Sequence, residues 1–307
     1  MATESPLLEA ELSVDFPGKC GVLRGVSLSL RRGEVLGLVG ESGSGKSTLA
    51  LALLRLFGSR EGRLTGRIVF CGRDLMRASE DEMRQVRGRE IGLVMQSPLA
   101  SLNPALRIGK QLAEAWRAHA SGSSHEQSLA VGHALQRVGL PCEEEFRRRY
   151  PSQISVGQAQ RVLIAIATMH SPRLLIADEP TSALDVITQK ATLKMIADLN
   201  RETRSAVLYI SHDLQSVASI CHRVAILHQG RIVECGEAER IMTCPQHPYT
   251  RQLLECARWL QTGERQPGRS IQPGASGRDE TTLGRVRSSP GQPAWGIKSP
   301  SPPPIGP

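Results

Sequence analysis

The stretch Gly40-Glu41-Ser42-Gly43-Ser44-Gly45-Lys46-Ser47-Thr48 constrains this chain more than any other. It fits G-x-x-x-x-G-K-[ST], and its flanks suit that pattern. Glu34 to Val39 reads as a short buried strand, and Ser47 to Leu56 reads as a helix. A strand, a glycine-rich turn and a helix N-terminus together make a phosphate cradle. The glycines let backbone N–H groups turn inward onto phosphate oxygens. Lys46 supplies a point charge for the β- and γ-phosphates, and Ser47 a hydroxyl ligand for Mg²⁺. A loop that only turned the chain would need neither Lys nor Ser at those places. The motif predicts nucleotide binding.

Strands and helices alternate on both sides of the cradle. Leu12 to Phe16 and Val26 to Leu30 alternate apolar and polar residues, as antiparallel strands with one wet face do. Phe16 precedes a Pro17-Gly18-Lys19 turn. It is either a core residue or an aromatic on which adenine stacks, and the turn beside it favours stacking. Further strands are expected at Gly66–Phe70, Ile91–Met95, Arg173–Ala177 and Ala206–Ile210, with a hairpin of Val224–Leu227 and Arg231–Glu234. Helices are expected at Ser79–Arg87, Ile108–Ala120, Glu126–Val138, Glu143–Arg149, Ala159–His170 and Thr188–Arg201. The pattern indicates an α/β fold with a largely parallel sheet. A small helical subdomain, about residues 98–170, is inserted between core strands.

Composition narrows the class. The chain has 307 residues, enough for one large domain or two lobes. Aromatic residues make up 3%, so the core must be mostly aliphatic. The net charge of +8 is spread along the chain, and the Arg147-Arg148-Arg149 run reads as a solvated face rather than a nucleic-acid patch. Seven cysteines, with irregular spacings and no C-x-x-C, read as separate reduced thiols. No window approaches the run of about 18 apolar residues that a membrane span needs. Past residue 262, nine of the chain's 19 prolines occur with almost no apolar periodicity. Residues 1–262 are therefore expected to form the folded domain, and 263–307 a disordered Pro/Gly/Ser-rich tail.

Four strand ends add chemistry to the cradle. The Arg173–Ala177 strand runs into Asp178, which suits a carboxylate that holds Mg²⁺. Glu179 follows at once and can polarise an attacking water. Gln96 and His212 end two other strands. Parallel sheets gather such ends on one edge, where ligands bind.

Taken in order, these residues resemble the ATP-binding subunits of ABC transporters. The likeness covers roughly residues 7–260 and adds Ile154-Ser155-Val156-Gly157-Gln158 and Ser182-Ala183-Leu184-Asp185 to the motif set. It implies a P-loop NTPase (RecA-like) core with an antiparallel β subdomain and the inserted helical subdomain. It implies ATP and Mg²⁺ as ligands, and a head-to-tail pair with a second ATP-binding subunit, of the same or a different chain. Glu179 is then the general base, His212 contacts the γ-phosphate, and Gln96 reaches Mg²⁺ and the water. Ser155, Gly157 and Gln158 address the nucleotide held by the partner, and Asp185 lies at the pair's interface. Val156 departs from the family's usual L-S-G-G-Q, where the first glycine stands, but Ser155 and Gly157, which the likeness implies make the close phosphate contacts, are kept, so hydrolysis is expected to survive. Any damage there falls on the partner's nucleotide.

A narrower likeness joins Gln96–Pro104 and Cys244–Leu254 to the oligopeptide, dipeptide and nickel importers. It implies two transmembrane permease subunits as partners, an extracytoplasmic solute-binding protein acting indirectly, and a peripheral place on the cytoplasmic face of the membrane. Peptide import is the leading expectation and nickel import an alternative, with His247 read as a turn residue rather than a nickel ligand. A soluble ABC ATPase, in phosphonate breakdown or on nucleic acid or ribosomes, is the other alternative. The absence of sustained heptads between Lys46 and Asp178 speaks against the chromosome-type members.

Overall fold

The computed structural model describes residues 5–57 and 62–262. Its organising element is a six-stranded sheet in the order β10-β9-β3-β8-β7-β6. These strands are β3 (Val35–Val39), β6 (Ile91–Val94), β7 (Leu174–Asp178), β8 (Ala206–Ser211), β9 (Arg223–His228) and β10 (Arg231–Glu237). The pairs β3·β8, β3·β9, β6·β7 and β7·β8 are parallel, and only β10 runs antiparallel, on β9. A second, antiparallel sheet has the order β2-β1-β4-β5, with β1 (Leu8–Phe16), β2 (Lys19–Leu30), β4 (Arg63–Phe70) and β5 (Arg73–Asp74).

The parallel sheet is apolar on both faces because helices or the second sheet cover each of them. Successive side chains of a strand point to opposite faces, and β3 shows the result. Leu36 and Leu38 enter one core with Leu12, Val26 and Phe70 of the antiparallel sheet and Leu49 and Leu53 of α1 (Lys46–Leu53). Val35 and Val39 enter the other with residues of α4 (Ile108–Arg117), α5 (Ser124–Arg137), α7 (Val156–Ala167), α8 (Val186–Thr203) and α9 (Leu214–Ile220). The helices α3 (Pro98–Ser101), α4, α5, α6 (Glu144–Arg147) and α7, with a 3₁₀ turn at Pro151–Gln153, fill the interval between β6 and β7.

Several element ends differ from those expected, each for a local reason. The first helix stops at Leu53 rather than Leu56, because Arg55 turns left-handed (φ 50°) and Leu56 N–H returns to Leu51 O at 2.9 Å. The seventh starts at Val156 rather than Ala159. Ser155 and Gln158 form a reciprocal capping box there. The eighth starts two residues early, since the Asp185 carboxylate accepts from Ile187 N–H and Thr188 N–H, both at 3.0 Å. Helix α2 (Glu80–Val86) carries a Ser79/Glu82 capping box within the expected span. Sequence reading missed α9, α10 (Ala238–Thr243), α11 (Pro248–Thr262) and the two-residue β5. The first two are too short to show a 3.6-residue period. Among the described residues no helix is long and apolar enough to cross a membrane. Residues 263–307, expected to be a disordered tail, lie outside the described residues.

Phe70 is fully buried in the core shared by the two sheets. Phe70→Ala is expected to lower the unfolding free energy by about 3–5 kcal/mol, measured by equilibrium urea denaturation. A change under about 0.5 kcal/mol, within the range of ordinary surface substitutions, would contradict this packing.

Candidate active site

Because five strands are parallel, their C-terminal ends lie along one edge of the sheet. Val39 pairs with Ser211, Asp178 with Ile210 and Val94 with Ala177. The residues just beyond those ends are the cradle, His212, Glu179 and Gln96. They meet around a cavity of 520 Å³ lined by Ser42, Gly43, Gly45, Lys46, Ser47 and Thr48, and across from them Gln96, Glu179 and His212.

Two glycines have no substitute in the cradle. A Cβ on Gly40 would come within 2.2 Å of Leu227 O, and Gly45 takes φ 108° as the N-cap of α1. Helix α1 has no side-chain cap, so its first N–H groups are free for an anion. Lys46 folds back over the loop, its Nζ donating to Gly40 O at 2.8 Å and Glu41 O at 2.9 Å. Burial lowers its pKa, while the charges of Glu179, Asp178 and Glu41 pull the other way. Ser44 is buried and its hydroxyl has no partner.

Asp178 is nearly inaccessible. Burial pushes its carboxyl above the usual range, opposed by a hydrogen bond from the Ser47 side chain. The Glu179 charge adds to the rise, and the Lys46 charge opposes it. Its Oδ1 has no hydrogen-bond partner. A buried, unpaired carboxylate oxygen beside a serine hydroxyl is a donor set for a hard divalent cation.

Glu179 sits in the left-handed region, φ 46°, an uncommon conformation for a glutamate. Its N–H donates to Ile210 O of β8 at 2.9 Å, which anchors the turn. Its Oε2 accepts from Gln96 Nε2 at 2.9 Å, and its Oε1 lies 3.1 Å from His212 Nδ1. The glutamate side chain is 13% exposed and the histidine 60%. A shielded carboxylate is thus held between two side chains from neighbouring strands.

The remaining residues singled out from sequence gather elsewhere. Ser155, Gly157, Gln158 and Asp185 line a separate 350 Å³ groove with Leu184 and Thr188. The Ser155 hydroxyl accepts from Gln158 N–H at 3.2 Å. A Cβ on Gly157 would meet Thr188 Cγ2 at 2.8 Å, so α7 and α8 pack closely here. Asp185 Oδ1 caps α8, and the hydrogen bond that its Oδ2 accepts from the Thr188 hydroxyl at 2.7 Å, the largest cause, holds its carboxyl below the usual range. Just past it, Val186 and Ile187 are 67% and 82% exposed. One chain therefore carries two separate clusters of these residues, one around Lys46 and one around Ser155.

Phe16 does not line the cavity. It packs edge-on against Phe57, centroids 5.6 Å apart. Lys19 and Val22, from the β1–β2 region, line it instead. Sequence reading passed over both, although Lys19 lies in the turn already noted beside Phe16.

A phosphate cradle, a buried carboxylate and a shielded acid at the end of a parallel sheet define a P-loop ATPase cassette. The family model of the ABC transporter matches residues 23–182, and the chain belongs to that family. It is 42% identical over 253 residues to the oligopeptide transport ATP-binding protein OppD of Bacillus subtilis, covering 81% of this chain and 71% of that one. It is 45% identical over 244 residues to the glutathione import ATP-binding protein GsiA of Salmonella typhimurium, covering 76% of this chain and 38% of that one. Among solved structures, an ATP-binding cassette captured as a dimer in a post-hydrolysis state with ADP and Pi matches with a TM-score of 0.66 at 27% identity. The match covers 75% of this chain and 98% of that one.

Lys46→Ala removes the cradle's charge and is expected to weaken ATP binding by at least about tenfold, since a hydrogen bond to a charged group contributes about 1.5–3 kcal/mol. Isothermal titration calorimetry reads this directly. Unchanged affinity would remove the cradle from nucleotide binding.

Proposed function

We propose that the chain is the ATP-hydrolysing subunit of a membrane importer of short peptides, acting as one of a head-to-tail pair. The observation that carries this reading is the Gln96–Glu179–His212 cluster facing Lys46 across the cradle.

ATP enters with its phosphates against the free N–H groups of α1. Lys46 leaves the Gly40 and Glu41 carbonyls for the β- and γ-phosphates. The β1–β2 region, through Lys19 and Val22, takes the adenine. Ser47, Gln96 and Asp178 are the residues to hold Mg²⁺, a fit supported by the unpaired Asp178 oxygen. When bound, that ion neutralises charge on the phosphoryl oxygens. Glu179 exchanges one of its present partners for the attacking water and takes the water's proton as its oxygen bonds to the γ-phosphorus. The bond to the ADP oxygen breaks in line with that attack. His212, the more exposed of the three, is placed to donate to the γ-phosphate.

The second cluster, around Ser155, supports the reading as a pair. Since the Ser155 hydroxyl oxygen accepts from its own helix cap, its hydrogen is free to donate to a phosphate oxygen held by the partner. Val156 leaves both that hydroxyl and the Gly157 approach intact, so hydrolysis is retained.

Transport follows from the surroundings of Gln96. Met95 and Leu99 are exposed beside it, and with the inserted helices they offer an apolar contact for permease subunits at the cytoplasmic face of the membrane. A solute-binding protein acts at a distance, through those permeases. The peptide class comes from the relatives, whose names refer to an oligopeptide and to glutathione, a tripeptide.

Glu179→Gln is expected to bind ATP normally and to lower turnover about 10²- to 10⁴-fold, the usual contribution of a general base. Single-turnover hydrolysis in the reconstituted complex measures it, and normal turnover would strip Glu179 of its role. A tagged pull-down from detergent-solubilised native membranes should recover two permease-type proteins and a second ATP-binding subunit. Recovery of soluble partners alone would overturn the importer reading.

A further inference from the structure

The C-terminal helix α11 begins against the phosphate cradle, and one of its first side chains touches the cradle's backbone. Tyr249 is 8% exposed. Its ring stacks on His228 at the end of β9, with centroids 3.7 Å apart and planes at 26°. Its hydroxyl accepts from the backbone N–H of Glu41 at 3.4 Å. The carbonyl of that same peptide unit, Gly40 O, accepts from Lys46 Nζ at 2.8 Å. The C=O and N–H of a trans peptide point in opposite directions. The Gly40–Glu41 peptide is therefore gripped from both sides, by the phosphate-binding lysine on one and by Tyr249 on the other. The end of β9 also comes close to this peptide, since a Cβ on Gly40 would lie 2.2 Å from Leu227 O.

Tyr249 is itself firmly placed. The Glu234 carboxylate of β10 accepts from Gln246 N–H at 2.7 Å and His247 N–H at 3.0 Å. His247 Nδ1 accepts from Tyr249 N–H at 3.2 Å. Arg251 closes the same turn from within, donating to Pro245 O at 3.1 Å and Gln246 O at 3.0 Å. This accounts for His247, which serves the turn. It also gives Tyr249 a fixed base on β10 from which to reach the cradle.

We infer that Tyr249 is a positioning residue of the nucleotide site, bracing the Gly40–Glu41 peptide so that the backbone of the cradle is preset for phosphate. The inference rests on the nucleotide reading of the cradle. A preset loop spares the binding step the ordering of that loop. Loss of the brace should therefore appear in ATP affinity rather than in the chemical step. Tyr249 touches no reacting atom in this arrangement and acts only through the peptide.

The test is Tyr249→Phe in the full chain, which keeps the ring on His228 and removes only the hydroxyl. Its ATP dissociation constant is expected to rise roughly threefold to tenfold, the effect of one hydrogen bond. In the reconstituted complex, KM should rise with kcat unchanged, the mark of lost uniform binding. Hydrogen exchange supplies a local readout. The Glu41 amide should exchange faster, while the amides of β3 keep their wild-type rates. Faster exchange throughout β3 would mean that the residue acts only on overall stability and would overturn the inference. So would an unchanged Glu41 amide, or unchanged ATP affinity alongside a Lys46→Ala variant that no longer binds. If neither variant altered ATP binding, the nucleotide reading itself would fall.

Discussion

Everything at the site depends on the hydrogen-bonded register of five parallel strands. Parallel pairing aligns the strands in one direction, so the residues after each strand are delivered to the same edge. The glycine-rich turn, Gln96, Glu179 and His212 come from four distant parts of the chain, each just beyond the end of a strand. The ladder of β6, β7, β8 and β3 sets the spacing between them. Helix and loop chemistry then adjusts the details. Gly45 opens α1 in a left-handed turn, and the Glu179 amide is tied to the carbonyl of Ile210.

Much of this was legible in the sequence because the physical signals are strong. A fully apolar run ending in Asp178 has few meanings, and Lys46 and Ser47 after a glycine-rich turn have fewer. The inserted helices showed their period, and the Asp185 and Ser155 caps were in plain view as residue types even though the helix starts were placed late. The features that escaped were of another kind. Lys19 and Val22 reach the cavity through the path of β2, and no local pattern marks that path. Tyr249 meets Glu41 across 208 positions of chain, a contact that only the tertiary fold creates. The short helices α9 and α10 carry too few turns to display amphipathicity. Phe16 had a defensible reading as an adenine platform, and its engagement with Phe57 could not be foreseen from either residue's surroundings.

The two clusters differ in how fully their polar groups are engaged. Around Lys46 the polar groups are arranged but not satisfied: the Asp178 oxygen and the Ser44 hydroxyl lack partners, and Lys46 is held by carbonyls in place of anions. Around Ser155 and Asp185 the polar groups are already engaged in helix caps, and the unfinished business is apolar, with Val186 and Ile187 facing solvent.

The double-sided burial of β3 bears on how such a cassette can change over time. Its odd and even residues belong to different cores, and the cradle hangs from its last residue. A one-residue slip would exchange the two sets of side chains and displace the cradle in the same stroke. No compensating change on one face could repair the other. Variation is therefore channelled into the long interval between β6 and β7, where helices can lengthen, shorten or be recut without disturbing the ladder. The strand that carries the chemistry is the part of the molecule least free to drift, and the helices beside it are the part whose change disturbs the ladder least.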